Sequence, residues 1–280
     1  MDHRDCSGCS LCLLVCPVWR ETRDVRLTPR GRAKAIQHGA AARAIADSVR
    51  GCTLCGACEP ACPEELPLVD MVMELRRETP LPEVSPGSVS GKTRLLLAGR
   101  ALGADAARRK RTLALLGKGF AFAADDGCDV GDALEAGDVV AAERLEAFLA
   151  PLREARRLVI AEGILIRALR RWLPRIEIIG LGEALLRAVG EKLQPGDLYV
   201  IESCAFNGDH ARLVGRYDAM RAASGCEMNL DLQRIAMPAN GQARWILEGR
   251  KVQRIVVEDM GDCAAFSFAG RPVLHMADLA

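Results

Sequence analysis

Two cysteine-rich stretches decide the fold of the first part of the chain: CSGCSLCLLVCP at residues 6–17 and CTLCGACEPACP at residues 52–63. Both have the spacing C-x2-C-x2-C-x3-C-P, which is typical of bacterial proteins that bind two 4Fe-4S clusters. In such pairs, three thiolates of one run surround one cluster and the fourth thiolate reaches the other cluster. The spacing therefore predicts two clusters with crossed ligand sets.

The crossed arrangement divides eight cysteines into two predicted ligand sets. One set is Cys6, Cys9, Cys12 and Cys62, and the other is Cys52, Cys55, Cys58 and Cys16. Pro17 and Pro63 follow the two crossing cysteines and are expected to redirect the chain there. Two tetrahedral zinc sites are the alternative, but zinc gives no reason for two evenly spaced four-cysteine runs that each end in proline.

The composition indicates a globular protein with no general electrostatic preference for a partner. The chain has 280 residues, twelve cysteines and a formal net charge of +1, which gives no global attraction to nucleic acid or membrane. The start, MDHRDCSGC, lacks the apolar core of a secretion signal. Apolar runs such as LVIAEGILI near Leu158 are shorter than the roughly 20 residues of a membrane helix. We expect a cytoplasmic protein without a transmembrane segment, and membrane association through partners stays open.

The sequence pattern changes after the second cysteine run. PRGRAKAIQHGAAARAIADSVR (29–50) and LPLVDMVMELRRE (66–78) predict helices, so residues 1–78 are expected to form an α-helical dicluster domain. Residues 79–92, TPLPEVSPGSVSGK, have the composition of a linker. From residue 93 onward, apolar strand-like runs alternate with amphipathic helices, which predicts an α/β domain with parallel strands over residues 93–280. The runs are TRLLLA, GFAFAA, RLVIAE, RIEIIG, DLYVIE and RIVVED.

The α/β part also repeats its own pattern. The stretch from Leu95 parallels the stretch from Tyr199, and the stretch around Leu158 parallels the one around Ile255. Two modules, 93–193 and 196–280, explain this pattern better than one irregular sheet. The register of the repeat places Arg100 opposite Cys204.

Positive charge is concentrated between the two cysteine runs. The segment 17–51 contains three acidic residues, Glu21, Asp24 and Asp47. It contains eight basic residues: Arg20, Arg23, Arg26, Arg30, Arg32, Lys34, Arg43 and Arg50. The excess is compatible with a docking surface for an acidic partner. Compensation of the negative thiolate clusters and adjustment of their potential also explain it, and we favour this interpretation. Trp19 is expected to pack against a cluster and shield it from water.

Together, the two motifs, the PRGR at 29–32 and the α/β repeat resemble the iron-sulfur subunits of glycolate oxidase and of anaerobic glycerol-3-phosphate dehydrogenase. They also resemble heterodisulfide reductase subunits C and B joined in one chain. The resemblance implies a dicluster ferredoxin domain and an electron-transfer role beside a flavoprotein.

In that family each C-terminal module typically supplies cysteines for a further cluster, and the resemblance implies where those positions fall here. The first module has Arg100, Cys128, Glu162 and Leu165, and the second has Cys204, Met237, Pro238, Met260 and Cys263. Neither module retains four cysteines, so we expect no metal there. Cys226 lies outside all of these positions and is expected to be a buried core residue.

These observations predict a non-catalytic electron-transfer subunit. It would relay electrons through two 4Fe-4S clusters, between a flavin-containing oxidoreductase subunit and another iron-sulfur or quinone-side subunit. No flavin, nucleotide or nucleic acid is expected to bind this chain. The alternative is a thiol/disulfide oxidoreductase subunit, similar to heterodisulfide reductase, that uses Cys204 and Cys263, which are expected to lie near each other. A redox-responsive regulatory or scaffold protein is a third class.

Overall fold

The computed structural model describes residues 5–78, 94–231, 234–235 and 242–279, which form two compact units. The first unit contains residues 5–78 together with Asp129–Val140, and the second contains the other described residues. The predicted linker at 79–92 lies outside the described residues. The sequence analysis places Asp129–Val140 in the α/β domain, whereas this segment groups with the N-terminal unit. One reason is that the buried Arg76 guanidinium donates a hydrogen bond to the main-chain carbonyl of Glu135.

The N-terminal unit consists of short helices. Two 3-10 helices lie at Val25–Leu27 and Ala42–Ile45. The α-helices of residues 5–78 are α1 (Leu11–Val15), α2 (Pro17–Thr22), α3 (Pro29–Gln37), α4 (Ala46–Arg50) and α5 (Leu68–Arg77). The predicted helical stretch at 29–50 is thus divided into α3, a 3-10 helix and α4.

Local sequence explains where α3 begins and ends. Pro29 occupies its first turn, and the Thr28 hydroxyl accepts a hydrogen bond from the Gly31 N–H at 3.1 Å, which satisfies one of the free N–H groups at the helix start. The helix ends one residue before His38, and Gly39 then adopts a φ of 83°, a conformation that glycine tolerates best. Gly39 therefore turns the chain away from the helix axis.

Helix α5 closes the N-terminal unit through its apolar side. It starts after Pro67, as the position of that proline predicts, and buries Leu68, Met71, Val72 and Leu75. These residues recur at intervals of three and four, so they share one face of the helix. The α5 helix is tied to the second cysteine run by the Glu59 carboxylate, which accepts a hydrogen bond from the N–H of Val69.

The C-terminal unit contains two parallel four-stranded sheets. One sheet has the order β2-β1-β3-β4 and the other has the order β6-β5-β9-β10, and a short antiparallel pair, β7-β8, lies apart from both. All six strand-like runs of the sequence form strands of the two parallel sheets. The strands are β1 (Arg94–Leu97), β2 (Phe120–Phe122), β3 (Arg157–Ile160), β4 (Glu177–Gly180), β5 (Asp197–Val200), β6 (Glu227–Met228), β7 (Leu230–Asp231), β8 (Arg234–Ile235), β9 (Arg254–Val257) and β10 (Val273–His275).

Helices connect the parallel strands, as a parallel sheet requires. Of these, α8 belongs to the N-terminal unit from Asp129 onward. The helices are α6 (Gly99–Gly103), α7 (Ala106–Leu116), α8 (Cys128–Ala136), α9 (Ala142–Leu152), α10 (Ile164–Trp172), α11 (Leu181–Gly190), α12 (Ser203–Gly208), α13 (His210–Ser224) and α14 (Gln242–Leu247). Two 3-10 helices, Met260–Ala269 and Met276–Asp278, follow β9 and β10.

The pairing between β1 and β3 in the first sheet can be compared with the pairing between β5 and β9 in the second. Leu95 pairs with Leu158 in the first sheet, and Tyr199 pairs with Val256 in the second. Counted from these pairs, Arg100 corresponds to Cys204. The two sheets share their strand order and this register, and the division into two repeated modules, 93–193 and 196–280, stays a prediction.

One apolar cluster joins the two sheets. It includes Leu96 and Val159 of the first sheet together with Tyr199 and Val256 of the second, all fully buried, and it also contains Cys226. The prediction that Cys226 is a buried core residue is therefore confirmed. A second cluster, around Ile255 and Phe266, covers the other face of the second sheet.

Candidate cluster-binding site

The two cysteine runs share one loop conformation. Gly8 and Ser10 in the first run have φ values of 82° and 71°, and Leu54 and Gly56 at the equivalent positions of the second run have φ values of 51° and 74°. Left-handed residues in such short loops turn successive backbone N–H groups toward a common point, an arrangement that binds anions and occurs at many iron-sulfur sites. The structure therefore contains two similar anion-binding loops.

Helix α1 connects the loop of the first run to the crossing cysteine. Cys12 lies inside α1 on its buried side, and Cys16 is the residue at which α1 ends and α2 begins. The backbone N–H groups of Trp19 and Val18, at the start of α2, stabilise the Cys16 thiolate. Pro17 occupies the first turn of α2, where its missing N–H costs no helical hydrogen bond.

The first predicted set of cysteines surrounds one pocket. This pocket encloses about 330 Å³, including its opening to solvent, and its lining contains Cys6, Cys9, Cys12 and Cys62. Cys62 thus lies with three cysteines that are about fifty residues earlier in the chain. Cys9 is exposed, whereas Cys12 is buried.

The second predicted set is also brought together. After burial, an ionised Cys52 raises the pKa of Cys16, and ionised Cys52 and Cys16 raise the pKa of both Cys55 and Cys58, so these four thiols lie close to one another. Cys16, which follows α1, also lies close to Cys12 of the first set. Cys16 and Cys55 are buried, and Cys52 and Cys58 are partly buried. The fold therefore groups Cys16 with the cysteines of the second run.

Burial opposes ionisation of four of the eight thiols. It raises the pKa of Cys12 to about 11 and that of Cys55 to about 12, and neighbouring cysteines add to both increases. Burial also raises the pKa of Cys16, and it raises the pKa of Cys58 well above its usual value. Thiolates are the form that binds metal, so a bound cationic core would compensate the charge of these buried sulfurs when they lose their protons. A 4Fe-4S cluster supplies such a core, and the donor set fits it.

Buried arginines provide positive charge around the second set. Arg32 is 1 % exposed, and its guanidinium donates hydrogen bonds to the carbonyls of Ser48 and Leu27. Its charge lowers the pKa of Cys16, against the larger effect of burial. Arg76 donates a hydrogen bond of 2.6 Å to the carbonyl of Cys52. The sequence analysis missed Arg76 because it lies outside the basic segment, where nothing in the sequence distinguishes it from a surface residue.

Two of the buried donors that have no hydrogen-bond partner among the described residues belong to arginines beside the cysteines, and both fit an anionic cofactor. They are Nε of Arg30, whose side chain lines the pocket of the first set, and Nη1 of Arg32. Lys34 fixes the same loop by donating a hydrogen bond of 2.8 Å to the carbonyl of Cys6. Buried donors without partners are costly, and the sulfurs of an iron-sulfur cluster would accept their hydrogen bonds.

The basic residues between the two cysteine runs differ in their exposure to solvent. Arg30, Arg32 and Lys34 turn toward the cysteines, whereas Arg20, Arg23, Arg26, Arg43 and Arg50 are exposed. Arg26 forms an ion pair of 2.6 Å with Asp24. The buried and partly buried basic residues could compensate the charge of the clusters, and the exposed ones could contribute to a docking surface for an acidic partner. Trp19 is partly buried, with the Arg23 guanidinium 5.9 Å from its ring centre.

In the described residues, no group of three or more His, Cys, Asp and Glu side chains is arranged to hold a single metal ion. A four-iron cluster would hold its ligands farther apart than a single ion does, around a larger core. Likewise, no helix in the described ranges is long and apolar enough to cross a membrane.

Carboxylates occupy the strand ends of the C-terminal unit. Glu162 accepts hydrogen bonds from the backbone N–H groups of Arg100 and Ala101, and Glu202 accepts them from Cys204 and Ala205. Glu162 therefore has a structural role, because it satisfies N–H groups at the start of a helix.

Of the positions implied by the resemblance, Met237 and Pro238 lie outside the described residues.

A buried carboxylate network joins these strand ends. Glu258 accepts hydrogen bonds from the hydroxyls of Tyr199 and Tyr217, at 2.9 and 2.7 Å, and from the N–H of Glu202 at 2.8 Å. Burial raises the pKa values of Glu202 and Glu258 to about 7 and that of Asp262 to about 8. This network was not predicted from the sequence, although Glu258 directly follows the apolar strand β9.

Cys204 and Cys263 follow the neighbouring strands β5 and β9. Burial raises the pKa of Cys263, partly offset by the charge of Arg108, and the nearby carboxylates of Asp262 and Asp259 raise it further. A raised pKa opposes the thiolate that disulfide exchange requires. Cys128, the remaining cysteine of the first module, begins α8.

Sequence comparison supports iron-sulfur chemistry for the N-terminal part of the chain. Residues 2–66 match the 4Fe-4S dicluster domain family, so the N-terminal part of the chain is a 4Fe-4S dicluster domain. This match covers both cysteine runs and about a quarter of the chain. No curated protein and no solved structure matches the chain.

Proposed function

We propose that the N-terminal unit holds two 4Fe-4S clusters with crossed ligands and that the chain is an electron-transfer subunit. The ligands would be Cys6, Cys9, Cys12 and Cys62 for an outer cluster and Cys16, Cys52, Cys55 and Cys58 for an inner cluster. The observation that carries the proposal is the grouping of each crossing cysteine with the opposite run. The duplicated loop conformation and the buried arginines give further support.

The proposed electron path runs between a flavin-containing oxidoreductase subunit and another iron-sulfur or quinone-side subunit. The clusters supply one-electron chemistry, and this chain's residues hold them, compensate their charge and exclude water. The resemblance to iron-sulfur subunits of glycolate oxidase and anaerobic glycerol-3-phosphate dehydrogenase supports a flavoprotein partner. The C-terminal unit, which we interpret as two repeated modules, would serve for contact with other subunits.

Anaerobic purification and chemical analysis test the cluster assignment. Two clusters predict about eight iron and eight sulfide per chain, with visible charge-transfer absorption that bleaches on reduction. Two zinc ions per chain without such absorption would contradict the assignment. Rapid, reversible reduction by a flavoprotein would separate an electron-transfer subunit from a regulatory or scaffold protein, for which slow reduction is sufficient.

A further inference from the structure

Helix α1 has two opposite faces. Cys12, Leu13 and Val15 are buried, whereas Leu11 and Leu14 are 44 % and 52 % exposed. Leu11 and Leu14 are three residues apart, so they are neighbours on the helix surface. A partner that covers this pair would remove apolar surface from water, which favours association.

The position of α1 relates this apolar face to both candidate clusters. Cys12 within the helix belongs to the first ligand set, and Cys16 at its end belongs to the second. An α-helix with its side chains is about 10–12 Å across. A protein that covers Leu11 and Leu14 would therefore lie within about one helix diameter of ligands to both clusters. Cys9, the exposed candidate ligand, lies two residues before α1.

The segment next to this face has a net positive charge. Helix α2 follows α1 directly and packs against it, and it carries exposed Arg20 and exposed Glu21 and ends at exposed Arg23. No acidic residue occurs from Cys6 through Arg20, and residues 17–51 contain eight basic and three acidic residues. The exposed apolar pair thus lies beside a segment with an excess of positive charge, and the complement of such a surface is an apolar patch with carboxylates near it.

We propose that the exposed face of α1 is the docking surface through which the clusters exchange electrons with an acidic flavoprotein. This inference rests on the proposed function. Each transfer moves one electron from the partner's reduced flavin to a 4Fe-4S cluster. The flavin is oxidised by one electron and the cluster is reduced by one, and no bond of this chain is made or broken.

The test measures reduction of the full, cluster-loaded chain by two reductants. Flavodoxin hydroquinone is an acidic flavoprotein probe that must dock, and the methyl viologen radical is a small reductant that needs no docking surface. The docking variants are the double substitution Leu11→Gln with Leu14→Gln, and Arg23→Glu. The matched controls are Val139→Gln, at a position 79 % exposed, and Arg43→Glu, at an exposed position outside α1 and α2. Both leave the proposed surface unchanged.

We expect the second-order rate with flavodoxin to fall about tenfold in both docking variants and to stay unchanged in the controls. The wild-type rate should also fall as salt rises, because exposed charge pairs are screened beyond roughly 8 Å at physiological ionic strength. Rates with methyl viologen should be equal in all five proteins.

Unchanged flavodoxin rates in the docking variants would overturn the docking surface, while reduction by methyl viologen would leave the proposed function standing. Parallel loss of both rates at full iron content would also overturn it, because the substitutions would then act on the clusters rather than on docking. A wild-type chain that neither reductant can reduce would defeat the proposed function itself.

Discussion

The proposed crossed ligation predicts different results for different pairs of cysteine substitutions. Cys16 lies with Cys52, Cys55 and Cys58, whereas Cys9 lies in the pocket of the other set. In Cys16→Ala with Cys55→Ala, both lost ligands belong to the inner set, so the outer cluster keeps all four of its thiolates. In Cys16→Ala with Cys9→Ala, each cluster loses one ligand and neither stays complete.

The magnitude follows from cluster stoichiometry. The wild-type chain should hold about eight iron, and the Cys16/Cys55 variant should retain one intact cluster with about four iron and four sulfide. The electron paramagnetic resonance spectrum of this reduced variant should integrate to about one spin per chain with a normal 4Fe-4S signal. The Cys9/Cys16 variant should show no intact 4Fe-4S signal, whatever iron it keeps.

An uncrossed arrangement predicts the opposite result, because Cys9 and Cys16 would then share one cluster. An intact cluster in the Cys9/Cys16 variant, together with its absence in the Cys16/Cys55 variant, would refute the reasoning. The mirror pair, Cys62→Ala with Cys9→Ala, should leave the inner cluster complete. Cys204→Ala controls for loss of a cysteine outside both sets.

Three further predictions concern the buried charges and the C-terminal cysteines. Arg32→Met should lower the free energy of unfolding by about 2–4 kcal/mol, because two buried carbonyls lose their donor, and it should lower the reduction potential of the inner cluster. Denaturation measures the first effect and a redox titration the second, with Arg43→Met as the exposed control. An unchanged potential would show that Arg32 does not act on the cluster. Because the folded-state pKa values of Glu202 and Glu258 are raised to about 7, their contribution to stability is full below about pH 4.5 and is lost as the pH rises to about 7, by up to about 1.4 kcal/mol per pH unit for each group. Between about pH 4 and 6.5 the lowered pKa of His275, caused mainly by burial, gives the opposite slope, and Asp262, whose pKa burial raises to about 8, extends the decline above pH 7. Compared with the wild-type chain, Glu258→Gln should therefore lose stability less steeply between about pH 4.5 and 7 in denaturation at several pH values. An unaltered slope would argue against a protonated Glu258. Finally, Cys204→Ala with Cys263→Ala should leave iron at about eight per chain; a loss of about four would point to a cluster in the C-terminal unit.

The cysteine runs and the strands could be read from the sequence because their signals are local. A cluster loop of three cysteines depends on residues within seven positions, and a parallel strand is an apolar run of four to six residues. The six apolar runs and the starts of α3 and α5 are where their prolines and apolar residues predict them. The break at Gly39 is also local, but a run of alanines hides it because alanine favours helix on both sides.

The surroundings of the clusters were decided only by the tertiary structure. Eight basic residues between the cysteine runs have the same chemistry in the sequence, yet Arg32 is buried beside Cys16 and Arg43 is exposed. Arg76 reaches the carbonyl of Cys52 across 24 positions. Such contacts depend on long-range packing, which no local pattern encodes. The same reason applies to Glu258, whose neighbours Tyr199 and Tyr217 meet it only when the sheet and α13 are assembled.

The sequence by itself therefore determined the cluster chemistry, since ligand type and spacing are properties of adjacent residues. Tertiary structure alone decided which side of α1 faces solvent, which arginines compensate the thiolates, and that Asp129–Val140 joins the N-terminal unit. Burial depends on every segment that packs against a residue, and the energies of the alternatives differ by only a few kcal/mol. Exposure of Leu11 and Leu14 beside buried Cys12 is such an outcome of packing.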